Sequence, residues 1–122
     1  MWTPDRALNV WLYRRPTDMR KSYNGLSALV KQQLGDDPLN GALYVFVNRR
    51  RTQMKCLYFE DGGYCLWAKR LEQGQFRVRF DGVDKAHIEL STLKLLIDGL
   101  AVDSVRRFNR DQHRPLVTHN ST

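Results

Sequence analysis

The sequence predicts a small single domain of the α+β class. Its centre is a twisted, mostly antiparallel sheet of five to six strands, with one main helix packed on it and a short helix near the C-terminal end. Three observations predict this. The chain has 122 residues, enough for one core. The stretch from Gly41 to Gly74 alternates β-forming runs with tight-turn residues, as a meander does. Ahead of it lies a single stretch with apolar residues at helical spacing. Residues 1–103 form the domain on this reading, and 104–122 a basic, loosely ordered tail.

Asn9 to Tyr13 (NVWLY) reads as a short first strand, closed by Arg14-Arg15-Pro16. Thr17 to Ser22 supplies helix-capping residue types before a helix that runs from residue 22 to about Leu34. Leu26, Leu29, Val30 and Leu34 share one face, Lys31, Gln32 and Gln33 turn to solvent, and Gly35 stops the helix. Leu43–Val47 and Gln53–Phe59 are rich in β-branched, aromatic and aliphatic residues and form a hairpin with Arg49-Arg50-Arg51 at its tip. Three adjacent guanidinium groups at a turn need water or an anion, so the hairpin holds up a cluster of charge. Glu60-Asp61-Gly62-Gly63 turns the chain, its glycines supplying positive φ, and Tyr64 to Trp67 is the next strand.

Further on, Gln75 to Phe80 alternates: Phe76, Val78 and Phe80 point one way, Arg77 and Arg79 the other, which predicts a strand with a basic wet face. Ala86 to Leu90 is a weaker strand. Ser91 caps a short helix in which Leu93, Leu96, Ile97 and Leu100 share a face. Beyond Asp103 periodicity is lost, apart from a possible turn of helix over 104–108.

Charge sets the functional direction. Lys and Arg number 20 against 13 acids, a net charge of +7 with a pI near 9.8, so the field favours a polyanionic partner. No signal peptide or membrane-spanning run is expected, and Cys56 and Cys65 read as buried reduced thiols, which together suggest the cytoplasm.

Four motifs in succession carry a resemblance: Pro16-Thr17-Asp18-Met19-Arg20-Lys21 with Asn24-Gly25-Leu26; Gly41 to Phe46 with the arginine run; Lys55-Cys56-Leu57-Tyr58; and Leu66 to Phe76. Over residues 9 to about 100 the chain resembles the TnpB-type accessory proteins, the second-frame products of the bacterial insertion-sequence family sixty-six. It departs from them at Phe59-Glu60, where the family has Trp-Asp, and in the tail. The resemblance implies a role in transposition beside a separate DDE-type transposase.

The residues themselves point to two mechanisms. In the first, Arg49, Arg50 and Arg51 contact the DNA backbone at element ends, extended by Arg77 and Arg79, while Arg20 and Lys21 grip phosphate at a helix start. In the second, the protein is an adaptor that docks through its sheet or sheet edge onto the transposase or a sibling accessory protein, without binding DNA.

Against that phosphate-gripping role stands a structural reading, in which Asp18 caps the helix while Arg20 pairs with a neighbouring acid. Trp67 reads as core, with Tyr64 and Phe76 beside it, and Arg70 and Glu72 as an ion pair at a corner. Tyr58 or Tyr64 could equally stack on bases or pack. Catalysis is not expected: Asp18, Glu60, Asp61 and Glu72 fall in turns or caps and do not converge as a metal site would require. His113 and His119 lie in the tail, and His87 stands alone. No cofactor is expected.

Overall fold

A computed structural model describes residues 8–99. The elements in order are β1 (Val10–Tyr13), α1 (Tyr23–Gln32), β2 (Leu43–Val47), β3 (Gln53–Glu60), β4 (Gly63–Arg70), β5 (Lys85–Ile88) and α2 (Leu90–Ile97). The five strands form one sheet in the order β4-β3-β2-β1-β5. β2, β3 and β4 make the expected meander, while β1 pairs parallel to β2 through the α1 crossover and antiparallel to β5. The fold class is as predicted. The tail, Leu100 and the helical turn over 104–108 lie outside the described residues.

The strand order puts β2 in the middle, and all five of its residues are buried. Its alternate side chains serve two cores. Leu43, Val45 and Val47 face Val10, Leu12, Met54 and Cys56, under Leu93 and Leu96 of α2. Tyr44 and Phe46 face Tyr13 and Leu57, under Leu26, Val30 and Leu34 of the α1 region. A two-sided apolar strand of this kind needs helices on both faces of the sheet, and α1 and α2 supply one each.

Several boundaries differ from the sequence reading. α1 begins at Tyr23, with Ser22 at the capping position making no side-chain cap bond. It ends at Gln32, after which left-handed Gly35 (φ 67°) lets the Asp36 N–H reach the Val30 carbonyl. Glu89, not Ser91, occupies the capping position of α2, again without a side-chain bond. In the 60–63 turn the positive φ values belong to Asp61 (52°) and Gly62 (82°), and Gly63 already pairs with Glu60. That is the pattern of a two-residue hairpin, in which both central residues need positive φ.

The segment 75–80 is not a strand. Phe76 and Val78 are buried and Arg77 and Arg79 exposed, so the alternation is real, but no sheet partner runs beside it. The segment packs Phe76 and Val78 against the α2 side of the sheet. Trp67 joins Phe76 in that core, whereas Tyr64 lies on the opposite face. Cys56 is buried and free, and Cys65 is free but only half-buried.

Candidate nucleic-acid interface

Strand direction decides where charge collects. β1, β2 and β4 end, and β3 and β5 begin, at the same end of the sheet. Arg14, Arg15, Arg20 and Lys21 follow β1, Arg49 to Arg51 follow β2, and Arg70 closes β4. The other end receives Asp36 and Asp37 ahead of β2, the Glu60-Asp61 turn, and Glu89 after β5. The sheet is therefore polarised, cationic at one end and acidic at the other.

The hairpin tip is held by Asn48. Its Oδ1 accepts from the backbone N–H of Thr52 (2.8 Å) and Gln53 (3.0 Å), and its carbonyl accepts from the Arg51 N–H at 2.9 Å. This leaves Arg49 and Arg50 at the outer corners of the turn, both exposed. Arg51 is different. It takes a left-handed conformation (φ 59°), is half-buried, and lays its guanidinium over the Phe80 ring, 5.3 Å from the centroid. Its Nε is buried with no hydrogen-bond partner among the described residues. The three arginines, equivalent in the sequence reading, are thus two projecting cations and one that braces the tip.

The 75–80 segment braces the same tip from the other side. The Gln75 Nε2 donates to the Arg50 carbonyl at 2.9 Å, and the Phe76 N–H to the Arg51 carbonyl at 2.6 Å. The extension of the patch through this segment rests on Arg77, which is exposed, more than on Arg79, whose Nη2 lies 3.2 Å from Asp81.

Arg20 and Lys21 sit in the loop between β1 and α1, at the same sheet end. Thr17 anchors this loop by donating its N–H to the Val47 carbonyl at 2.9 Å, at the base of the arginine hairpin. Asp18 is not a helix cap. It stands ahead of the loop's last turn, accepting from the Arg20 backbone N–H (2.9 Å) and from its guanidinium (2.7 Å), and those bonds lower its carboxyl to about 2. Arg20 is accordingly half of an exposed ion pair, while Lys21 is exposed and open. α1 has no acid in its first turn, so nothing there offsets the positive end of its dipole.

Other ion pairs organise the rim. Arg14 pairs with Asp81, whose carboxyl is lowered chiefly by that hydrogen bond; Arg15 pairs with Asp84 at 2.7 Å, and Arg70 with Glu72 at 3.0 Å. Arg49, Arg50, Lys21 and Arg77 have no acidic partner among the described residues. Sequence reading missed Arg14 and Arg15 as rim organisers, taking them only as the end of a strand. It also missed Lys55, whose one signal was a lysine in a run apolar on both faces.

Tyr58 packs into the α2-side core, and burial raises its hydroxyl pKa. Tyr64 meets Phe59 edge-on at 5.3 Å, next to the acidic turn. Neither joins the cationic end, so base stacking there has no aromatic platform from these two. Among the described residues, no group of three or more His, Cys, Asp or Glu side chains could hold a metal ion, and no helix is long and apolar enough to cross a membrane.

Fold and site together define a small α+β domain with a cation-lined sheet end. The chain belongs to the IS66 Orf2-like family, whose model matches residues 8–107. It is similar to Uncharacterized protein y4jC of Sinorhizobium fredii (strain NBRC 101917 / NGR234), 34% identical over 104 residues, which cover 85% of this chain and 89% of that one. It is also similar to Uncharacterized protein y4hO of the same strain, 36% identical over 69 residues, 57% of this chain and 60% of the other. No solved structure matches it significantly.

Proposed function

We propose that this protein is a non-catalytic accessory factor of transposition that binds the phosphate backbone of DNA with the cationic end of its sheet. In that role it assists a separate DDE-type transposase at the ends of the element, in the bacterial cytoplasm. The observation that carries the reading is the convergence of Arg49, Arg50, Lys21 and Arg77 at one sheet end, exposed and without acidic partners among the described residues. Arg20 and Arg79 stand beside them in exposed ion pairs that a phosphate can open, since water screens such pairs. Contacts of this type give affinity with little sequence selectivity.

The test is fluorescence anisotropy of the full chain on a labelled duplex carrying the terminal inverted repeat, beside a scrambled duplex, across a salt series. Log affinity falling linearly with log salt supports backbone binding, and a preference for the repeat adds recognition of the ends. No binding to either duplex at low salt overturns the reading, and leaves the cationic end to an acidic surface of the transposase, the adaptor role.

A further inference from the structure

We propose that the cationic end of the sheet holds a pocket for one unpaired base of the DNA it contacts. The inference rests on the DNA-binding reading above and adds to it a preference for single-stranded or frayed ends. A shallow cavity of about 150 Å³, open on its outer side, lies between the Met19 loop and the paired ends of β3 and β4. Its origin is in the register. The pairs Gln53↔Arg70 and Lys55↔Ala68 lie on the same face of the sheet as Leu57↔Leu66, which belongs to the α1-side core. Where that core ends the face carries only the methyl of Ala68, which is exposed, and a hollow remains beside Met19.

The lining selects the occupant. Met19, Ala68 and the aliphatic stem of Lys55, whose ammonium is turned to the loop carbonyls, give apolar walls. Gln53 adds a carboxamide with no hydrogen-bond partner among the described residues. Arg70 stands at the rim, its Nε held by Glu72 and its Nη groups left for a phosphate. A planar ring with a donor and an acceptor on one edge satisfies all three, since a carboxamide pairs with such an edge, adenine's above all. The cavity is smaller than the roughly 300–1,000 Å³ of sites that enclose drug-sized ligands, which suits a single ring system. An apolar side chain from a protein partner would leave the carboxamide unpaired. Tyr23 is an independent sign of the same ligand. It is the one exposed aromatic ring among the described residues, and it starts α1 at this same sheet end, where a further base can stack on it.

The experiment is fluorescence anisotropy of the full chain on a labelled duplex with a short single-stranded extension, beside the same duplex whose extension is abasic. The two carry equal numbers of phosphates, so any difference belongs to the bases. The wild type should bind the base-bearing extension about fivefold more tightly, the lower end of what stacking one base contributes. Ala68→Leu, which fills the hollow, and Gln53→Leu, which keeps the size and removes the amide, should each lose that preference while holding the abasic duplex as before, with circular dichroism confirming that both are folded. Equal wild-type affinity for the two extensions overturns the pocket and leaves backbone binding standing. A preference that survives both substitutions also overturns it. Binding to neither duplex at low salt overturns the pocket together with the DNA-binding reading.

Discussion

The ammonium group of Lys55 donates to the carbonyl of Met19 at 2.8 Å, and to that of Lys21 at 2.7 Å. One lysine in the middle of β3 thereby fixes the loop that presents Arg20 and Lys21, through carbonyls 36 and 34 residues away in sequence. The charge is used to satisfy two backbone acceptors and is not part of the surface available to an anion. Replacing Lys55 with Met keeps the aliphatic stem and removes both bonds. The expected loss is about 2 kcal/mol, since hydrogen bonds to charged groups contribute about 1.5–3 kcal/mol. Urea unfolding checks the stability, and faster amide exchange confined to residues 19–21 checks that the loop is what the lysine holds.

A second prediction concerns the acid that closes the α1 face. Asp36 lies 2.9 Å from the Lys85 ammonium, which also sits 4.3 Å from the Trp11 ring centroid, and it accepts from the Tyr44 hydroxyl at 3.1 Å. Tyr44 is fully buried, and chiefly through burial its hydroxyl is pushed up to about 12, so it stays a donor at any working pH. Asp36→Ala removes an acceptor from a buried hydroxyl and strands a half-buried cation. The cost should be about 2 kcal/mol, larger than for Asp37→Ala on the exposed side of the same loop, and the two denaturation midpoints compare them directly.

How far the sequence carried the fold follows from what each pattern reports. The β2–β3–β4 meander was legible because composition and turn residues agree, and the α1 face because Leu26, Val30 and Leu34 recur at helical spacing. Residues 75–80 misled because alternation reports which side chains are buried, not what the backbone bonds; the Phe76 N–H goes to the Arg51 carbonyl of a turn. Asp18 misled because a cap and an Asx-type turn use the same residue, and only the distance to Tyr23 separates them. Within the arginine run nothing local distinguishes Arg51. Its inward placement depends on Phe80, which is 29 positions further on, arriving beside it.

The Asp18–Arg20 pair gives a pH prediction. Arg20 holds the Asp18 carboxyl at about 2, below its ordinary 3.8. A depressed folded-state value means the ionised acid favours the folded loop. The contribution is complete above about pH 4 and is lost as pH falls through about 2. Because both groups are exposed, water screens the effect, and the loop's order is a better readout than global stability. A carbon-detected NMR titration of the Asp18 carboxyl should show a midpoint near 2, moving up toward 3.8 in Arg20→Gln. A midpoint already near the ordinary value in the wild type contradicts the pairing.

The arginine tip yields the sharpest separation between binding and support. Arg49 and Arg50 project from the turn with no contact to an acid among the described residues, so Arg49→Glu/Arg50→Glu should leave the melting temperature within a degree or two, about what surface substitutions do. If both cations touch phosphate, the slope of log affinity against log salt should fall by about two, near 0.9 per contact, and affinity at low salt should drop across all sequences alike. Arg51 should behave otherwise. Its charge lies over Phe80, and its left-handed backbone anchors the turn that accepts the Phe76 N–H. Arg51→Glu replaces a cation on the ring face with an anion and should cost about 1 kcal/mol of stability or more. A thermal melt beside the salt-series titration decides between the roles. Equal melting losses for the double and the Arg51 variants would mean that all three arginines are structural.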